Sequence, residues 1–193
     1  MLKRETRTLG LSDTTIRDRT IVIGVVFRGS LWLDGVVTAN LNTASHDYDR
    51  EISRAIKSSK QHPQLYAIII SHHLSLNRKI STRDLAKRLT LPVIAIAGSA
   101  GGSRTGPPLR APKTFGIVVD GKHLEVTAAG VGRAECQRLY EIGCTRGSKT
   151  PEAVRVADLM AEQLGRGLLN PQGDTKRSKA TERTKAISSR RGE

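Results

Sequence analysis

The sequence predicts an α/β fold, a mixed sheet with flanking helices, that ends in a basic tail. Three observations predict it. Runs rich in Val, Ile, Leu and Thr recur at residues 6–11, 20–28 and 31–39, and shorter apolar runs follow at 65–70 and 93–97. Amphipathic helical patterns separate the later runs. From Pro171 onward Ile187 is almost the only apolar residue left.

The first three runs form a meander. Gly29-Ser30 between the second and third is a two-residue hairpin signal. From Asp47 to about Lys60, Ile52, Ala55 and Ile56 recur at helical spacing among Arg50, Glu51, Arg54 and Lys57, which predicts a surface helix. Asp47 and Asp49 stand where they cap that helix and complement its dipole. The run at 65–70 is short, continuous and apolar, as in a strand buried on both faces. Ser81-Thr82-Arg83-Asp84 resembles a capping box, and Leu91-Pro92 stops its helix before the fifth strand.

Residues 98–113 hold four Gly and three Pro with Arg104, Arg110 and Lys113, which predicts a flexible loop. A hairpin follows, turning at Asp120-Gly121. Two helices close the domain, the second capped by Thr150 with Pro151 in its first position. The order β-β-β-α-β-α-β, hairpins first and crossovers later, is that of a ribonuclease H-like mixed sheet with flanking helices. Residues 1–170 are expected to form that domain, and 171–193 a basic tail that is disordered when free.

Charge narrows the function. The chain has 193 residues, 32 Lys and Arg against 18 Asp and Glu, and a formal net charge of +14. Such a balance strains a compact fold unless an anion neutralises it, so a polyphosphate partner is expected. The tail alone carries seven cations against three acids. No run approaches the ~20 apolar residues of a spanning helix, so no membrane partner is expected. The charged start, Met-Leu-Lys-Arg-Glu-Thr-Arg, lacks the apolar core of a secretory signal, which predicts a cytoplasmic protein. Cys136 and Cys144 fit neither a zinc knuckle nor a redox pair. Aromatic residues make up 3% of the chain, too few for a base-stacking platform, so contacts to phosphate are expected.

At Gly24-Val-Val-Phe-Arg-Gly-Ser-Leu-Trp-Leu-Asp-Gly35 the chain resembles the archaeal endonuclease V-like family described as deoxyuridine endonucleases. Thr8-Leu-Gly-Leu-Ser-Asp13, Leu91-Pro-Val-Ile94 and the segment from Thr145 to Ala161 carry the same resemblance. It implies a ribonuclease H-like, endonuclease V-like fold and a metal-assisted cut beside a deaminated base. That chemistry needs carboxylates converging on Mg²⁺. Where the family reads Gly-Ile-Asp-Asp, this chain has Gly10-Leu11-Ser12-Asp13, so Ser12 stands at the metal-ligand position and Asp13 on the other strand face. Where the family has Leu-Asp-Gly, this chain has Ile70-Ser71-His72-His73. Where it has Arg-Val-Ala-His, this chain has Arg155-Val156-Ala157-Asp158. The longer charged insertion of the family is here the Gly/Pro loop.

The resemblance therefore describes a degenerate active site, a pseudoenzyme. Asp13 and Asp34 remain as vestigial catalytic candidates, although an Asp in Asp34's position is more often a turn or solvent residue. His72 and His73, adjacent on an extended segment, diverge and are read as loop residues. No cofactor is expected, or Mg²⁺ if the chain is instead an endonuclease on deoxyuridine or deoxyinosine DNA. The expected function is non-catalytic RNA binding, to rRNA in the archaeal ribosome or another ribonucleoprotein; charge fits a DNA partner equally well. Binding is expected through Lys3, Arg4 and Arg7 of an N-terminal arm, through Arg104, Arg110 and Lys113 of the loop, and through Lys176, Arg177, Lys179, Arg183, Lys185, Arg190 and Arg191 of the tail.

Overall fold

The computed structural model describes residues 2–45, 47–96 and 112–169. The basic tail and most of the Gly/Pro loop, with Arg104 and Arg110, lie outside the described residues. Seven strands form one sheet, β1 (Arg7–Ile16), β2 (Arg19–Arg28), β3 (Trp32–Asn42), β4 (Ala67–Ile70), β5 (Val93–Ile96), β6 (Lys113–Val119) and β7 (Lys122–Ala129). Their spatial order is β3-β2-β1-β4-β5-β7-β6. β1 pairs antiparallel with β2 and parallel with β4, which makes the sheet mixed. Four α-helices cover it: α1 (Tyr48–Ser58), α2 (Thr82–Leu89), α3 (Arg133–Gly143) and α4 (Glu152–Leu169).

Strand alternation sends two sets of side chains to two faces. Leu9 and Leu11 of β1, Ile68 and Ile70 of β4, and Val22 and Val26 of β2 meet Ile52 and Ile56 of α1 and Leu85 and Leu89 of α2. On the opposite face, Ile23, Val25 and Phe27 of β2 meet Ala153, Ala157 and Ala161 of α4. All four residues of β4 are buried, as its unbroken apolar run predicts.

Three boundaries differ from the sequence expectation. β1 continues to Ile16 instead of stopping at residue 11, because Ser12, Asp13, Thr14 and Thr15 pair with Ile23, Val22, Ile21 and Thr20 of β2. A ladder partner overrides polar composition. The β2–β3 connection has three residues, not two, since Arg28 pairs with Trp32. Gly29 supplies the left-handed φ of +62° that the turn needs, and a bulge places Asp34 between the pairs Phe27–Leu33 and Val26–Gly35. The Asp120-Gly121 turn closes as predicted, both residues having positive φ. α4 starts one residue late: the Pro151 carbonyl accepts from the amides of Val154 and Arg155, so Pro151, not Thr150, precedes its first turn.

Candidate nucleic-acid interface

β1 and β4 meet under α4. Leu11 and Ile70 are parallel partners, and the amide of Ser71 donates to the Leu11 carbonyl at 2.9 Å, which brings Ser12, in the middle of β1, beside Ser71 at the end of β4. α4 runs close above β1. A Cβ on Gly10 would lie 2.2 Å from the carbonyl carbon of Ala153, and one on Gly165 would lie 2.7 Å from the Thr14 hydroxyl. Ser12 is 2% exposed and Ser71 0%. The Ser71 hydroxyl accepts from the amide of His73 at 3.0 Å.

His72, next along, is half-buried, and its ring centroid lies 3.7 Å from that of His73, so the two side chains do not diverge as expected of an extended segment. Burial pushes the His72 imidazole below its usual range; the charge of Asp158 opposes that shift, and His73 and Lys149 reinforce it. One oxygen of Asp158 is buried without a hydrogen-bond partner. Asp158, which sequence comparison marks only as a lost imidazole, thus brings to this centre a carboxyl with one unpartnered oxygen.

Asp13 projects to the other face. Its carboxylate accepts from the amide of Ser75 at 2.7 Å and from the Ser75 hydroxyl at 2.6 Å. Burial raises its pKa, and the bonds from Ser75 oppose the rise. Asp34 occupies the bulge of β3, where Arg7 Nε and Arg28 Nη2 both donate to its carboxylate. Those bonds, the one from Arg7 first, hold Asp34 below the usual carboxylate range. Arg7 and Asp13 are six residues apart on one strand, roughly 20 Å at the rise of extended chain. Asp13 and Asp34 therefore do not share an ion, which removes the pair on which the endonuclease alternative relied.

A Mg²⁺ ion is held by hard oxygen donors, chiefly carboxylates. The site offers two buried hydroxyls, an imidazole and the carboxylate of Asp158, while Asp13, near enough to feel the charge of Asp158, is bonded to Ser75. Among the described residues no three His, Cys, Asp or Glu converge as a metal group. This donor set does not fit Mg²⁺.

The cations expected to bind nucleic acid divide into three sets. Lys3 and Arg4 are exposed, but the arm is not free: the Thr6 amide donates to the Lys3 carbonyl at 3.1 Å, the Gly29 amide donates to Thr6, and Leu2 packs on the core beneath α3. Arg7 belongs to β1, not to the arm, and its guanidinium is committed to Asp34. Lys113 is exposed at the start of β6, an edge strand. Arg104, Arg110, Lys176, Arg177, Lys179, Arg183, Lys185, Arg190 and Arg191 lie outside the described residues. Among the described residues no helix is long and apolar enough to cross a membrane.

No family model matches the chain. Curated relatives do. A UPF0215 protein of Methanosarcina mazei is 26% identical over 186 residues, covering 86% of this chain and 94% of that protein. One from Methanopyrus kandleri is 31% identical over 99 residues, about half of each chain. Among solved structures, a protein of unknown function from Archaeoglobus fulgidus superposes with a TM-score of 0.65 at 18% identity, covering 82% of this chain and 98% of that one. The endonuclease V of Streptomyces avermitilis gives a TM-score of 0.56 at 15% identity, covering 83% and 82%. Over most of its length the chain is thus similar to archaeal UPF0215 proteins, and its fold is the ribonuclease H-like mixed sheet of endonuclease V.

Proposed function

We propose that this protein holds RNA without cutting it, as a component of a ribonucleoprotein such as the archaeal ribosome. The observation that carries the proposal is the chemistry where the pairing of β1 with β4 ends. Ser12 and Ser71 stand there as hydroxyls, buried to 2% and 0% exposure, where a nuclease of this fold needs carboxylates that reach substrate. The net charge of +14 supports a polyanionic partner. Binding of this kind is electrostatic: Lys and Arg displace counterions from phosphates, while the folded domain sets their positions.

The test has two arms. Native protein is sedimented with ribosomal subunits at moderate salt, and purified protein is incubated with labelled deoxyuridine DNA and Mg²⁺ or Mn²⁺. Co-sedimentation without cleavage is expected. Cleavage that Asp158→Ala abolishes would overturn the non-catalytic reading, and a protein that stays at the top of the gradient would overturn the ribonucleoprotein one.

A further inference from the structure

α1 and α2 lie side by side on the sheet face opposite α4, and between them runs a groove of about 420 Å³ lined by Arg50, Ser53, Arg54, Lys57, Ser58 and Arg88. Its cations are arranged, not scattered. Arg50, Arg54 and Lys57 stand at i, i+4 and i+7 on α1, one stripe about 10 Å long at 1.5 Å per residue. All three are exposed, and among the described residues none makes an ion pair. Arg88 of α2 pairs with Asp47 at 3.5 Å, both side chains nearly half exposed, and its charge also reaches Asp49.

A solvated helix face ordinarily pairs an acid with a base four residues on. Here Arg50 and Arg54 place like charges at that spacing, which costs the helix stability. The acids of α1 are used elsewhere: Asp47 caps the helix by accepting from the Arg50 amide, Asp49 accepts from the Ser81 amide at 3.0 Å, and Glu51 accepts from the Ser45 hydroxyl. A second feature points the same way. Ser53, 4% exposed at the groove, leaves its hydroxyl without a hydrogen-bond partner, whereas the Ser58 hydroxyl bonds back to the Ala55 carbonyl at 3.0 Å.

We infer that the α1–α2 groove is a seat for the phosphate backbone of RNA, built by the folded core itself. The inference rests on the RNA-binding reading above and adds to it the surface that does the binding. The stripe is about as long as three phosphate-to-phosphate steps at the ~3.4 Å axial spacing along one strand of duplex DNA. Its face is not the one on which Ser12 and α4 lie, so backbone held here need not enter the nuclease-like centre.

The experiment titrates a labelled RNA hairpin with the full chain, with the triple variant Arg50→Gln, Arg54→Gln, Lys57→Gln, and with the charge-matched control Lys122→Gln, Arg133→Gln, Arg138→Gln. Salt is varied from about 50 to 200 mM. The groove variant is expected to bind at least about tenfold more weakly at the lowest salt, with the salt slope reduced by about 2; the control is expected to lose less than about threefold. Equal losses in both variants overturn the groove and leave RNA binding standing. Failure of the unaltered chain to bind overturns both. Should the groove variant not fold, acetylation of the unaltered protein decides: RNA is expected to shield Lys57 and leave Lys122 reactive, and equal reactivity of Lys57 with and without RNA overturns the groove.

Discussion

The two faces of the sheet are held by opposite means. Under α1 and α2 the contact is volume: Leu9, Leu11, Ile52, Ile56, Ile68, Ile70 and Leu85 are 2% exposed or less and fill the layer. Under α4 the contact is proximity, because Gly10 lets the Ala153–Val154 backbone come to within 2.4 Å of where a Cβ would sit, with Ala157 and Ala161 continuing the small-residue seam. The difference shows what each face can be used for. A helix seated this closely leaves Ser12 and Ser71 no route to solvent, whereas helices spaced by large side chains leave a groove between them that polar residues can line.

The largest test of this contrast is Gly10→Ala. The added methyl meets two backbones that are each fixed in a regular element, so α4 must move as a body. A loss of at least about 3 kcal/mol in urea unfolding is expected, with reduced protease resistance of α4. A loss below about 1 kcal/mol would mean that α4 is not close-packed on β1. Next comes Ile52→Ala on the other face, where the neighbours relax partway into the void. It should cost about 2 to 3 kcal/mol while the fold persists. If Ile52→Ala proved the more damaging of the two, the division between proximity and volume would be wrong.

The smallest effect sharpens the polar link between α1 and α2. Burial raises the carboxyl of Asp49 from 3.8 to about 6, against the bond it accepts from the Ser81 amide. The native state therefore keeps its proton longer than the unfolded chain does. Stability is complete below 3.8, falls as pH rises toward 6, and stays reduced above it. Asp49→Asn keeps an oxygen for Ser81 and removes the buried charge. It should raise stability at pH 8 by about 1 kcal/mol, given partial solvent screening, and by nothing at pH 3.5. A pH-independent effect in thermal melts would show that solvent reaches Asp49 freely.

Much of the architecture is legible along the chain because its signals are local. Ser81 and Asp47 cap their helices by accepting from amides three residues on, and Asp120-Gly121 turns where both residues take positive φ. The four-residue apolar run of β4 announces burial on both sides. The end of β1 is not legible, since the apolar run stops at residue 11 and only β2 supplies partners for Ser12 to Thr15. Asp34 is similar: its bulge and its two arginines come from register across three strands, and nothing within its own segment signals either. The candidate centre is legible as a set of replaced residues, but not the burial of Ser12 and Ser71 or the unsatisfied oxygen of Asp158.

By itself the sequence determined the α/β class, the meander, the helix caps and the excess of positive charge, because each depends on periodicity, turn chemistry or composition within a few residues. Tertiary structure decided which charges stand together. Arg7 and Arg28 became partners of Asp34, while Arg50, Arg54 and Lys57 were set beside Arg88 of another helix. Local sequence has no term for that choice, since the distance between two charges on different elements exists only once the sheet and its helices have packed.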